Sequence, residues 1–112
     1  MWIKLPVGFA TPGMIAVQGP GSWYLTLNGF QQVSWRPVAP FTVTSPKGAL
    51  VEGVWNHLVA TYDNNTLEGA LYVNGKEVVK GIGQTALKHY NGLIPVVVGR
   101  NWSDAAPLPF TG

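Results

Sequence analysis

The residues able to do acid–base chemistry are few. The acids are Glu52, Asp63, Glu68, Glu77 and Asp104, and the chain has two histidines, His57 and His89, and no cysteine. Glycoside hydrolysis uses two carboxyl groups, about 5 Å apart in retaining enzymes and about 6.5–9.5 Å apart in inverting ones. On one strand, acids sharing a face fall at i and i+2 or i+4, and no pair here has either spacing. A serine nucleophile lacks its Gly-x-Ser-x-Gly elbow. "GIGQTA" at Gly81–Ala86 matches the letters of a dinucleotide fingerprint. That fingerprint needs a helix opening at its third glycine, and Asn91-Gly92 and Pro95 leave little room for one. Without cysteine, disulfides and thiolate metal sites are excluded. The residues describe a chain that is not an enzyme.

Aromatic side chains are the larger resource: five Trp, four Tyr and four Phe, 12% of the chain. The C–H faces of sugar rings stack on Trp and Tyr, while sugar hydroxyls need polar partners. Trp23 and Tyr24 are adjacent on an extended segment, so they point to opposite faces. Trp35 stands beside Arg36 near a loop, and Trp102 lies between Asn101 and Ser103. Trp35 and Trp102 are the leading candidates for a surface contact, with Tyr24 and His57 as further ligand-facing positions. Trp2, Trp55 and one of Trp23 and Tyr24 are expected in the core, since large aromatics bury well. The plainer reading of His57 is a strand residue that packs and hydrogen-bonds locally.

These side chains must be positioned by strands. No segment keeps a helical period; "GQTALKHYNGL" allows at most one turn around Thr85–Tyr90 before Asn91-Gly92 closes it. Short runs between turn clusters argue for an all-β sandwich or barrel. Strands are expected at Trp2–Leu5, Met14–Gln18, Ser22–Asn28, Phe30–Arg36, Phe41–Thr44, Val54–Tyr62, Gly69–Val73, Lys76–Lys80 and Ile94–Arg100. Asn28-Gly29 and Asn74-Gly75 should turn hairpins, because Asn-Gly accepts the positive backbone angles of a tight turn. Val54–Tyr62 is apolar at both parities and reads as central. "IPVVVGR" is a continuous apolar run, expected to be buried on both faces. The tail "NWSDAAPLPFTG" is loop-like, with Pro107 and Pro109 blocking ladder bonds.

A chain of 112 residues is one domain by default. It is 46% hydrophobic and only 11% charged, which is not the composition of a disordered chain. Seven Lys/Arg against five Asp/Glu give a net charge of +2. The bases are scattered, and nucleic-acid binding needs them concentrated on one face. No apolar run of ~20 residues exists to span a membrane as a helix. Met1-Trp2-Ile3-Lys4 does not begin a signal peptide. Two N-x-[ST] sequons, at Asn64 and Asn101, fall in expected loops.

"VWNHLVATYDNNTLEGALYVNGKEV" resembles the laminin-G-like, concanavalin A-like jelly-roll domains. The matching positions are Trp55, His57, Leu58, Val59, Ala60, Thr61, Tyr62 and Asp63, then Leu71 to Lys76. "VVVGRN" at Val96–Asn101 looks like the family's next strand, and "MWIKLP" like an early one. The resemblance implies an antiparallel β-sandwich of jelly-roll type. The Glu-x-Asp-x-x-Glu arrangement of the sandwich glucanases is absent. In the family, further strands precede the "W-I-K" strand and follow the "F-x-G" step, here Phe110-Thr111-Gly112. The chain therefore looks like part of a larger domain, its closing strands supplied elsewhere in the gene product or by another chain or copy.

The resemblance also implies calcium, which many members hold at the sandwich rim through Asp/Asn side chains and backbone carbonyls. Asp63 and Asn65 offer oxygens at one turn, and Asn101 and Asp104 offer more. Two isolated acids make a weak cage for an ion that takes 6–8 oxygen ligands, and Asp and Asn are ordinary turn formers. The function implied is a non-catalytic, extracellular or surface-associated module recognising carbohydrate or a protein surface. Two rivals remain: a structural jelly roll without a small ligand, and an accessory domain of a glycoside hydrolase.

Overall fold

The structure is a computed structural model; it describes residues 1–10, 12–18, 23–87 and 96–98. Nine strands are defined among them: β1 (Trp2–Lys4), β2 (Gly13–Gln18), β3 (Tyr24–Leu27), β4 (Val33–Val38), β5 (Phe41–Thr44), β6 (Trp55–Tyr62), β7 (Glu68–Val73), β8 (Lys76–Ile82) and β9 (Val96–Val98). They form a four-stranded sheet, β1-β6-β7-β8, and a five-stranded sheet, β5-β4-β3-β2-β9. Every pairing between these strands is antiparallel. The architecture is the expected all-β, jelly-roll-type sandwich. No helix among the described residues is long and apolar enough to cross a membrane.

The core lies between the sheets and follows strand periodicity. In β4, Val33 and Trp35 are buried while Ser34 and Arg36 are half-buried on the other face. In β6, Asn56 and Leu58 point inward. The inward set from both sheets, including Ile3, Leu25, Leu27, Val43, Leu58, Leu71 and Val73, joins in one cluster with Leu5, Phe9 and Leu50 from the connections. Two polar side chains, Ser45 and Asn56, are buried with them among the described residues, Asn56 completely. Its Oδ1 accepts the Val51 N–H, and its Nδ2 donates to the Val51 and Val54 carbonyls at 2.9 and 3.1 Å. A buried amide is tolerable when its bonds are made, and here those bonds pin the loop that delivers β6.

The turns follow their chemistry. Asn74 and Gly75 adopt φ of 52° and 80°, the two positive angles of a type I′ hairpin. The Asn74 side chain also reaches the neighbouring strand, its Oδ1 accepting the His57 N–H at 2.8 Å. The β3–β4 hairpin forms as expected, but its loop is wider than a two-residue turn. Asn28 N–H donates to the Gln32 carbonyl, and Gln31 carries the positive φ. Residues 83–87 hold no helix, so "GIGQTA" is the end of β8 and a loop.

Three expectations are corrected. Trp2 and Trp55 do not fill the core: they are 65% and 62% exposed, because Ile3 and Asn56 take the inward parity of β1 and β6. The valine run is not covered on both faces. Among the described residues β9 pairs with β2 alone, and Val96 and Val98 are 52% and 67% exposed.

Candidate functional site

The sequence candidates do not come together. Trp35 is not a surface residue: it is 8% exposed, and its Nε1–H crosses the sandwich to donate to the Thr61 carbonyl at 2.9 Å. Trp23 shares its side of the sheet, the two rings tilted with centroids 5.8 Å apart. Between the sheets these indoles line an apolar groove of about 380 Å³ with Leu25, Leu58 and Ala60. His57 lies on the outer face of the other sheet, its ring against Trp2 at 4.9 Å. Trp102, Asn101 and Asp104 lie outside the described residues. Asp63 and Asn65 are exposed, and Asp63 Oδ1 accepts the backbone N–H groups of Asn65 and Thr66 at 2.7 and 3.2 Å. That is an Asx turn, complete by itself. No group of three or more His, Cys, Asp or Glu that could hold a metal occurs among the described residues.

Tyr24 is the candidate whose surroundings carry chemistry. It lies opposite Arg36 across the β3–β4 ladder, on the outer face of the five-stranded sheet. The guanidinium carbon stands 5.0 Å from the Tyr24 ring centroid, within cation–π range. One terminal nitrogen donates to the Tyr24 hydroxyl at 3.4 Å, a long bond. The Arg36 Nε is buried and has no hydrogen-bond partner. A buried donor left unpaired costs free energy, more so when it is charged.

Among the described residues, no acid on its own sheet compensates this cation. The five strands contain no acid and no other base. The described acids are engaged elsewhere: Glu68 and Glu77 belong to the other sheet, Asp63 closes its own turn, and Glu52 accepts from Gly8 N and Gln31 Nε2, both at 2.7 Å. Beside the Tyr24–Arg36 pair runs a row of hydroxyls, Thr26, Ser34 and Thr44, in register across three strands. Ser34 and Thr44 share a hydrogen bond of 2.9 Å. The face thus offers a guanidinium fork, a half-buried aromatic ring and hydroxyls, a set suited to an anionic, hydroxyl-rich molecule.

Arg36 was not among the sequence candidates. Its signal was the alternation Val33-Ser34-Trp35-Arg36, which already assigns Trp35 inward and Arg36 outward. The tryptophan drew attention to the wrong member of the pair.

Comparison with known proteins agrees with this architecture. A solved structure, "Ruminococcus gnavus IT-sialidase CBM40 bound to alpha2,3 sialyllactose", superposes with a TM-score of 0.72 at 18% sequence identity. The alignment covers 97% of this chain and 66% of that one, so the chain spans just under two thirds of its neighbour's length. At that identity the likeness shows the fold. No curated protein matches the chain. The Laminin_G_3 family profile, described as the Concanavalin A-like lectin/glucanases superfamily, matches residues 1–112. The match takes in the signature strands and the turns that join them, and the chain belongs to this superfamily.

Proposed function

We propose that the chain is a non-catalytic carbohydrate-binding module, an accessory to a glycosidase or surface protein acting outside the cell, and that it meets an acidic sugar at the Arg36–Tyr24 face. The observation that carries this reading is the Arg36 guanidinium, the one charged side chain on the described strands of the five-stranded sheet, set against the Tyr24 ring. A sugar carboxylate would accept from the two terminal nitrogens in parallel bonds, the strong geometry for arginine. The hydroxyl row would meet the rest of the ring. The structural neighbour is described with α2,3-sialyllactose bound, and sialic acid carries such a carboxylate.

Titration calorimetry with 3′-sialyllactose and with lactose tests it. Heat with the first and not the second, abolished in Arg36→Ala with an unchanged fold, supports the reading. Equal affinity for both sugars sinks the acidic-sugar assignment. No binding across a glycan array sinks the carbohydrate reading and favours a structural jelly roll. Calcium at Asp63 and Asn65 is a separate proposal, decided by calcium titration: heat together with a raised Tm supports it, and neither removes it.

A further inference from the structure

At the end of the sandwich a second, smaller cavity opens between the sheets. Its volume is about 230 Å³, and Pro40, Phe41, Ile82, Gly83, Gln84 and Thr85 are on its wall. One side comes from the β4–β5 connection and the other from the end of β8, so it lies on the seam of the two layers.

Three glycines seat the Phe41 ring that forms part of this wall. The Phe41 ring lies against Gly69, Gly81 and Gly83. A Cβ at Gly69 would stand 2.8 Å from the ring, and one at Gly83 would stand 3.1 Å from the ring and 2.7 Å from the Tyr62 hydroxyl. The Phe41 and Tyr62 rings therefore settle into the opposing strands, with centroids 6.1 Å apart. The far side is held at separate points. Gly83 N–H donates to the Leu67 carbonyl at 2.7 Å, the Tyr62 hydroxyl donates to the Thr85 carbonyl, and Leu87 N–H donates to Asn64 Oδ1 at 2.8 Å. A loop with these anchors is arranged before any ligand arrives, which lowers the ordering cost of binding.

The lining has two characters. Pro40, Phe41 and Ile82 offer flat or branched apolar surface, and Ile82 is 63% exposed at the mouth. Gln84 and Thr85 bring an amide and a hydroxyl that can donate and accept. No lining residue is charged, so the cavity matches an uncharged ligand with one apolar and one hydroxylated side. Its volume lies below the ~300–1,000 Å³ of pockets for drug-sized molecules, which suits one ring rather than a chain of them. We infer that this end cavity is a sugar subsite for a single uncharged pyranose ring, separate from the Arg36 face. The inference rests on the carbohydrate-binding reading but not on Arg36.

The test is a titration of ¹⁵N-labelled protein with methyl β-galactopyranoside, methyl α-glucopyranoside and N-acetylglucosamine, followed by amide chemical shifts. At least one sugar should move the amides of Phe41, Ile82, Gly83, Gln84 and Thr85, with Kd on the order of 1 mM. The shifts should persist in Arg36→Ala, weaken about fivefold in Gln84→Ala, and vanish in Ile82→Arg while the remaining spectrum keeps its folded dispersion. Silence at these amides with all three sugars overturns the inference, as do shifts confined to the region of Tyr24 and Arg36. So does an equal response to cyclohexanol, which would make the cavity merely apolar. If sialyllactose binds at Arg36 while the cavity stays silent, the acidic-sugar reading survives and this inference does not.

Discussion

Arg36 concentrates the chemistry of the described surface. Its charge is unopposed within its sheet, and its Nε is unpaired. On the proposed acidic-sugar reading, a charge-assisted hydrogen bond to a ligand contributes about 1.5–3 kcal/mol, so Arg36→Ala should weaken 3′-sialyllactose binding roughly 10- to 100-fold, below detection for a weak sugar contact. Arg36→Lys should rescue little, because an ammonium cannot present the planar fork; calorimetry on both variants checks this. Trp35 works in the opposite sense. It joins the sheets through its bond to the Thr61 carbonyl, and Trp35→Ala should cost about 3–5 kcal/mol of stability in denaturant unfolding. The tryptophan that looked like a contact residue is a structural one, and the arginine beside it faces out.

Two elements hold the geometry at their own scale. The loop into β6 depends on Asn56, whose buried amide satisfies backbone groups of Val51 and Val54. Asn56→Leu fills similar space but removes three hydrogen bonds, each contributing about 0.5–1.5 kcal/mol. Equilibrium unfolding should show a lowered midpoint with the slope unchanged. The β7–β8 hairpin depends on Gly75 at φ 80°. Gly75→Ala meets no neighbouring atom within 4 Å, so a loss of about 1 kcal/mol, read as a drop in Tm, reports backbone strain alone. Gly83→Ala differs in kind: its methyl collides with the Tyr62 hydroxyl, and overpacking of this sort costs about 1–3 kcal/mol.

Across the whole molecule, stability and exposure separate cleanly. Leu71 is fully buried at the centre of the four-stranded sheet, and Leu71→Ala should lose about 2–5 kcal/mol. Trp55 is larger but mostly exposed. Trp55→Ala should change stability by less than about 0.5 kcal/mol, and unfolding curves of the two variants make a direct comparison. The two outer faces also differ in character. The five-stranded sheet presents the lone cation with its hydroxyl row, whereas the four-stranded sheet presents Trp2, His57, Lys4 and Trp55 as facing pairs on β1 and β6.

Local pattern alone determined that the chain is all-β, where most of its strands lie, and that Asn74-Gly75 turns a hairpin. Those features come from side-chain period and turn chemistry, which act over a few residues. The family was legible for the same reason, since Trp55–Lys76 is one local ribbon. Which face of each strand points inward was legible only where polar and apolar residues alternate, as in Val33–Arg36. In Trp2-Ile3 and Trp55–Tyr62 both parities are apolar, and the choice went to the face that meets Leu25, Leu27 and Val33 across the sandwich. The pairing of Tyr24 with Arg36, the lack of an opposing acid among the described residues of that sheet, and the end cavity were decided by tertiary structure. Each depends on register and on the approach of two layers, which bring together residues that the sequence keeps far apart.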